Sequence, residues 1–269
     1  MVSGGDLSPE TLAALMPRRA VRSYPALLST HADGLAWARA GAPAGAIVLA
    51  DYQASPRGRA GLEWRIEPGL SLAFSLILRP ALPPEREGWL YTVASVALAD
   101  VLGPEVRIGW PDEVWRGDER AGAVAVEVQL GPELTEWAVV SVLISRVAPP
   151  RGPLVARLAD SVEGRAAASE EEVLAEHTAR CRTIGRKVRA RLIPMGPTGI
   201  VISGTATETK LDGALLIETA KGSHVAVRPQ NLGLLEDAAA VEEAGYPEPI
   251  RTYLSRLRGE DPTEDPGAG

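Results

Sequence analysis

Cysteine, histidine and phenylalanine are nearly missing from this sequence, which has one Cys, three His and one Phe in 269 residues. A lone Cys181 excludes an intrachain disulfide and a cysteine-based zinc site, and so gives no reason to look outside the cytoplasm. His31, His177 and His224 are scattered and form no metal-ligating run. No run of about 18 apolar residues occurs, and MVSGGDLSPETLAALMPRR at the start lacks the apolar segment of a signal peptide. The expectation is a soluble cytoplasmic protein with no membrane span. Positive charge is also short: 28 Lys and Arg face 35 Asp and Glu, a net charge of -7. That argues against a general DNA or RNA binder, because phosphate contact needs a cationic face.

Hydrophobic residues, at 45%, are plentiful enough for one large core and a small second domain. From Ser8, SPETLAALMPRR predicts a short helix with serine at its cap and proline in its first turn. Residues 32–43 place Leu35, Ala36 and Ala40 on one helical face. Strand-like runs follow in AIVLADY, LSLAFSLILRP, EVRIGWP, GAVAVEVQL and WAVVSVLISRV. The apolar spacing over 88–103 fits a buried helix instead. A helix on a mixed sheet is an α+β layer.

Residues 149–169 read as partly helical and EEEVLAEHTARC as a helix. KVRARLI, GIVISGTATETK, GALLIETAKG and SHVAVRP are short β-runs separated by turn residues, the pattern of a small SH3-like barrel. The predicted organisation is an N-terminal extension (1–19), an α+β domain (20–175), the barrel (180–236) and a tail (237–269) with one amphipathic piece, IRTYLSRL, and an acidic end expected to be disordered.

Five motifs in order carry a resemblance. LLSTHAD is similar to a Ser-Thr-Asn before a helix, and QASPRGRAGLEW to a Gln-x-x-Gly-Arg-Gly-Arg-x-Gly-Arg-x-Trp loop. GWPDEVW is similar to Lys-Trp-Pro-Asn-Asp, ERAGAVAVE to Lys-x-Ala-Gly-Ile-Leu, and CRTIGRKVRARL to the lead into a C-terminal barrel. Together they resemble the biotin–protein ligases of the biotin/lipoate ligase superfamily, in the form without an N-terminal DNA-binding domain. The resemblance implies biotin, ATP and magnesium as ligands, biotinyl-AMP as the first product, and a lysine of a carboxylase's biotin carboxyl-carrier domain as acceptor. It also implies dimerisation through a sheet edge. Lipoate or a fatty acid is a less favoured acyl group, since barrel and loop spacing favour biotin.

Carried over position by position, the resemblance puts Ser29 and Thr30 at the biotin head group, and Gln53, Arg57, Gly58, Arg59, Gly61 and Trp64 in the adenylate loop, with Trp110 in the second motif. As ordinary structure, Ser29-Thr30 would be a helix cap, the arginines a solvated turn and Trp110 core packing. Cys181 reads as a small packed residue. The basic cluster over 180–191 reads as a solvated strand face or a contact for an acidic carrier domain.

The departures fall on the chemistry. Pro56 and Leu62 replace a glycine and an arginine of the loop, and Gly109, Asp112 and Glu113 replace Lys, Asn and Asp. The lysine before Ala-Gly is Glu119 when counted back from Ala121-Gly122, but Arg120 when counted forward from Trp110. Neighbours on a strand point to opposite faces, so one of the two reaches the site. Arg59 and Arg120 are the candidate catalytic cations. Ser141, Leu143 and Ser145 stand where the family has a Gly-x-Gly-x-Asn strand. A unit charge about 5 Å from a phosphate, at an effective dielectric of about 20, is worth about 3 kcal/mol. Exchanging Lys for Glu there would cost about four orders of magnitude in rate. The expectation is therefore a divergent relative with impaired adenylation that acts by binding; the rival is an active ligase using Arg57, Arg59 and Arg120 or Arg116.

Overall fold

A computed structural model describes residues 5–62, 64–196 and 199–238. The chain divides after Thr183 into two compact units, with Thr209–Ala214 counting with the first.

In the first unit, Ser8 caps α1 (Pro9–Leu15), its hydroxyl accepting from Thr11 N. β1 (Val21–Leu27), α2 (Thr30–Arg39), β2 (Ile47–Gln53) and β3 (Leu72–Leu78) follow. α3 (Trp89–Leu102) is apolar on nearly every side and is buried from Trp89 to Ala99, which makes it the central helix. Then come β4 (Val106–Gly109), β5 (Glu113–Arg116), β6 (Glu119–Leu130) and β7 (Thr135–Ile144), and the helices α4 (Gly152–Ala167) and α5 (Glu170–Arg180). The seven strands form one sheet in the order β1-β2-β3-β7-β6-β5-β4, with β1 and β2 parallel and the other neighbours antiparallel.

Strand alternation gives the sheet two faces. Phe74, Val142 and Val124 are level with one another, as are Leu76, Val140 and Val126; these rows belong to the main core with α3 and α4. The other face carries the rows Ala73-Leu143-Ala123, Ser75-Ser141-Ala125 and Ile77-Val139-Glu127. α2 covers its Ile77-Val139 end. Gly34 permits that approach: a Cβ there would stand 3.2 Å from Val139 Cγ1 and 3.4 Å from Ser75 Cβ.

The segment expected to be an N-terminal extension is part of this unit. Leu7, Leu12 and Met16 are in the main core, and Asp6 pairs with the buried Arg151. The apolar face of α1 needs cover, and the sheet's helical layer supplies it. β1 and β5 were not read as strands: β1 is an edge strand holding Pro25, and β5 is four residues long.

The second unit contains β8 (Lys187–Leu192), β9 (Val201–Thr209), β10 (Leu215–Glu218), β11 (His224–Val227) and β12 (Leu232–Asp237). Their order, β11-β10-β9-β8-β12, leaves β11 and β12 as edges of an open sheet among the described residues. β11 is short, and the 3₁₀ turn Pro229–Asn231 separates it from β12, so the two are not ladder partners. IRTYLSRL and the acidic end of the tail lie outside the described residues.

Candidate ligand and anion site

β1 and β2 end side by side, with Leu27 level with Gln53. Beyond β1 the chain turns into α2, and Ser29, in an extended conformation, caps it by accepting from Ala32 N at 3.4 Å. The turn aims Thr30 N at Gln53 Oε1, 2.7 Å away, and Thr30 Oγ1 donates to the same oxygen at 3.2 Å. Only an oxygen can meet a backbone N–H, so the Gln53 amide has one orientation. Its Nε2 has no protein partner among the described residues.

From Thr30 a polar chain crosses the sheet. Ser75 Oγ donates to Thr30 Oγ1 at 3.1 Å, and Ser75 Oγ and Ser141 Oγ lie 2.8 Å apart on paired strands. Ser141 Oγ is 2.9 Å from His31 Nδ1, and His31 Nε2 is 3.1 Å from Glu127 Oε2. Thr30, Gln53, Ser75 and Ser141 are buried, and their mutual pairing offsets the cost of removing them from water.

The arginine loop leaves from Gln53 and covers the other end of the same face. Trp64 is buried with Ala73, Ala123, Ala125 and Leu143. Gly58 lies against it: a Cβ there would come 2.3 Å from Trp64 Nε1, so no larger residue fits without moving the indole. Gly61 has φ +73, which favours glycine. Arg57 stays exposed and donates to Gly61 O at 3.2 Å. Arg59 turns inward to 7% exposure, with Nε 3.2 Å from Asp112 Oδ1. Burial lifts the Asp112 carboxyl from 3.8 to about 6; Arg59 opposes the rise and Glu113 adds to it.

A β-bulge decides the neighbouring geometry. Val114 pairs with Gly122, but Trp115 pairs with Arg120 and Arg116 with Glu119, so Ala121 is the extra residue. Arg120 therefore lies on the side of Glu113, with NH1 3.1 Å from Glu113 Oε1. Glu119 is exposed, on the side of Arg116. Two ion pairs, Arg59 with Asp112 and Arg120 with Glu113, thus stand next to each other.

The fold brings Ser29, Thr30 and Gln53 together and sets Arg59 and Arg120 in adjoining pairs, while Arg57 points out from the loop. Trp110 is buried, with its backbone N–H donating to Thr183 Oγ1 at 3.0 Å and its indole N–H to Gly213 O at 2.9 Å; both are committed to the protein. Cys181 is half-buried. Sequence reasoning did not single out Ser75, His31 or Glu127 for the site. The visible signal was Ser75, one polar residue inside LAFSLIL.

No family model matches the sequence. The chain is 29% identical over 216 residues to the biotin–[acetyl-CoA-carboxylase] ligase of Mycobacterium tuberculosis, a match spanning 71% of this chain and 80% of that one. It is 28% identical over 123 residues to the bifunctional ligase/repressor BirA of Bacillus subtilis, spanning only 38% of that protein's length. Among solved structures, biotin protein ligase from Aquifex aeolicus in complex with biotin and ATP superposes with a TM-score of 0.60 at 18% identity, covering 81% of this chain and 99% of that one. At that identity the superposition shows the shared fold. In its ordered motifs, its relatives by sequence and its fold, the chain is similar to the biotin–protein ligases.

Proposed function

We propose that the chain binds biotin through Ser29, Thr30 and Gln53 and forms biotinyl-AMP slowly, because the cations that would meet the phosphates are held by carboxylates. The observation that carries the first half is the commitment of Gln53 Oε1 to Thr30. It leaves the Gln53 Nε2 hydrogens and the Ser29 hydroxyl as donors, on segments that end side by side. Such donors suit a ligand oxygen that accepts more than one hydrogen bond, as a ureido carbonyl does.

The second half rests on Arg59 and Asp112. ATP supplies the adenylyl group for activating the biotin carboxylate. For Arg59 to serve a phosphate it must share or leave Asp112, an exchange worth about 3 kcal/mol at an effective dielectric of about 20. The same holds for Arg120 and Glu113 in a more exposed setting. Among the described residues no group of three or more His, Cys, Asp or Glu is arranged to hold a metal ion. Magnesium would therefore come with the triphosphate, its usual mode of binding. The acceptor is a biotin carboxyl-carrier domain of a carboxylase. We keep the SH3-like reading for the second unit on its strand order, in which β8 lies between β9 and β12.

Calorimetry with biotin, with ATP and magnesium, and with a non-hydrolysable biotinyl-AMP analogue tests binding; pyrophosphate release tests adenylation. Biotin should bind, and Asp112→Asn should speed pyrophosphate release by about a hundredfold. No heat with biotin would end the biotin reading. A wild-type chain that biotinylates a carrier domain at about 1 per second or faster would replace the slow reading with the second one, a working ligase that uses Arg57, Arg59 and Arg120. The bulge that turns Arg120, and not Glu119, to the side of the site favours that second reading.

A further inference from the structure

The two neighbouring ion pairs differ in their access to water. The side chains of Arg59 and Asp112 are 6% and 9% exposed, whereas those of Arg120 and Glu113 are 36% and 34% exposed. That difference decides what becomes of each carboxylate when its arginine turns to a ligand anion. Water replaces Arg120 beside Glu113. Asp112 has little water to call on, and a buried carboxylate that has lost its cation is strongly disfavoured. Taking up a proton removes the charge and with it most of the penalty.

The groups that face Asp112 act in the same direction. Burial is the largest influence on its carboxyl and raises the pKa, and Glu113 of β5 adds to the rise. Arg59 from the loop lowers it by charge and by hydrogen bond, and Arg120 of β6 lowers it by charge. Tyr91 on α3 also feels the Asp112 charge; burial keeps its hydroxyl protonated, and that hydroxyl donates to Val126 O at 3.1 Å. With Arg59 in place the balance falls at about 6. Removing Arg59 and bringing up a phosphate both push it higher.

We propose that a ligand anion at Arg59 binds together with one proton, which Asp112 takes up as the arginine leaves it. The coupling rests on the reading that Arg59 serves the adenylate phosphate, and it makes that site sensitive to pH. The free chain carries the proton only below about pH 6, whereas the liganded chain keeps it well above. Affinity is therefore highest and nearly flat below pH 6 and falls about tenfold per pH unit above it.

The probe is a non-hydrolysable biotinyl-AMP analogue that keeps its phosphodiester, whose charge is constant over this range. Calorimetry of the full chain in buffers of different ionisation heat should show about one proton taken up per analogue at pH 7.5 and almost none at pH 5. Wild-type affinity should fall about a hundredfold from pH 5 to pH 8. Asp112→Asn should take up no proton and keep the low-pH affinity throughout. Binding without proton uptake overturns the proposal, since Arg59 is then shared and not released. The wild-type slope persisting in Asp112→Asn overturns it too, because another group then titrates. A second arm needs no ligand. In the chain labelled with ¹³C at the aspartate carboxyls, the Asp112 signal, assigned by its loss in Asp112→Asn, should titrate at about 6 in wild type and remain protonated at pH 8 in Arg59→Gln. A charged Asp112 at pH 8 in Arg59→Gln overturns the proposal. If the analogue binds at no pH, the adenylate reading falls, and the carboxyl spectrum still decides whether Asp112 takes a proton when Arg59 is gone.

Discussion

Arg59 and Asp112 hold each other at 3.2 Å beneath the arginine loop, both buried, at positions 53 residues apart in the chain. The loop's inward arginine therefore has a carboxylate already in contact. Asp112 takes up its proton at about pH 6 in the folded chain, against an ordinary value of 3.8. Between those values the folded chain binds a proton that the unfolded chain lacks, so this group adds stability as pH falls from 7 through 6. At about 1.4 kcal/mol per pH unit the full effect is about 3 kcal/mol. Urea unfolding of wild type and Asp112→Asn should show the difference shifting towards the wild type between pH 7 and pH 4.5. A constant difference would mean that Asp112 is not the buried acid described.

His177 on α5 should act in the opposite sense. It is fully buried, neither ring nitrogen has a hydrogen-bond partner among the described residues, and burial lowers its pKa from 6.5 to about 4. The unfolded chain takes up a proton below pH 6.5 that the folded chain refuses until about pH 4. Stability from the neutral ring is therefore full above pH 6.5 and is lost as pH falls, by about 3 kcal/mol at pH 4. His177→Leu should flatten this acid limb and unfold at higher urea than wild type at pH 4.5. An unchanged acid limb would remove His177 as its cause.

Glu119 and Arg120 should separate cleanly in kinetics. If the bulge sets their sides as described, Glu119→Ala leaves pyrophosphate release within about twofold, and Arg120→Ala lowers it by about tenfold or more. The reverse pattern would mean that the strand slips by one residue when ligands bind.

The first residues should matter for stability. Arg151 donates to Asp6 through its backbone N–H and two side-chain nitrogens, and to Asp51 at 2.5 Å. The Arg151 guanidinium holds the Asp6 carboxyl below its ordinary range despite partial burial. Asp6→Ala leaves Arg151, itself 1% exposed, short of a partner and should cost about 3 kcal/mol at pH 7. Wild type should lose this advantage as pH falls through the ordinary carboxylate value of 3.8 and below. Thermal unfolding of the two chains at pH 7 and pH 3 would show it, and equal stability at pH 7 would refute the role.

What could be read along the chain was local. Ser8 and Ser29 cap helices because a short polar side chain before an apolar repeat satisfies the first N–H groups, and both caps stand where the sequence put them. α3, β2, β3, β6 and β7 were legible from apolar spacing, since burial imposes a period of 3.6 or 2 on neighbouring residues. Ser29, Thr30, Gln53 and the arginine loop were legible as ordered motifs. Tertiary pairing decided the rest. Whether Glu119 or Arg120 turns towards the site depends on one bulged residue between paired strands, which no spacing within β6 reveals. His31 meets Ser141 from 110 residues away, and Arg59 meets Asp112, because strand register and the approach of α2 at Gly34 put them together. Hydrogen bonds and ion pairs depend on distances of about 3 Å between atoms remote in sequence, so the chemistry of this site emerges only once the sheet is assembled.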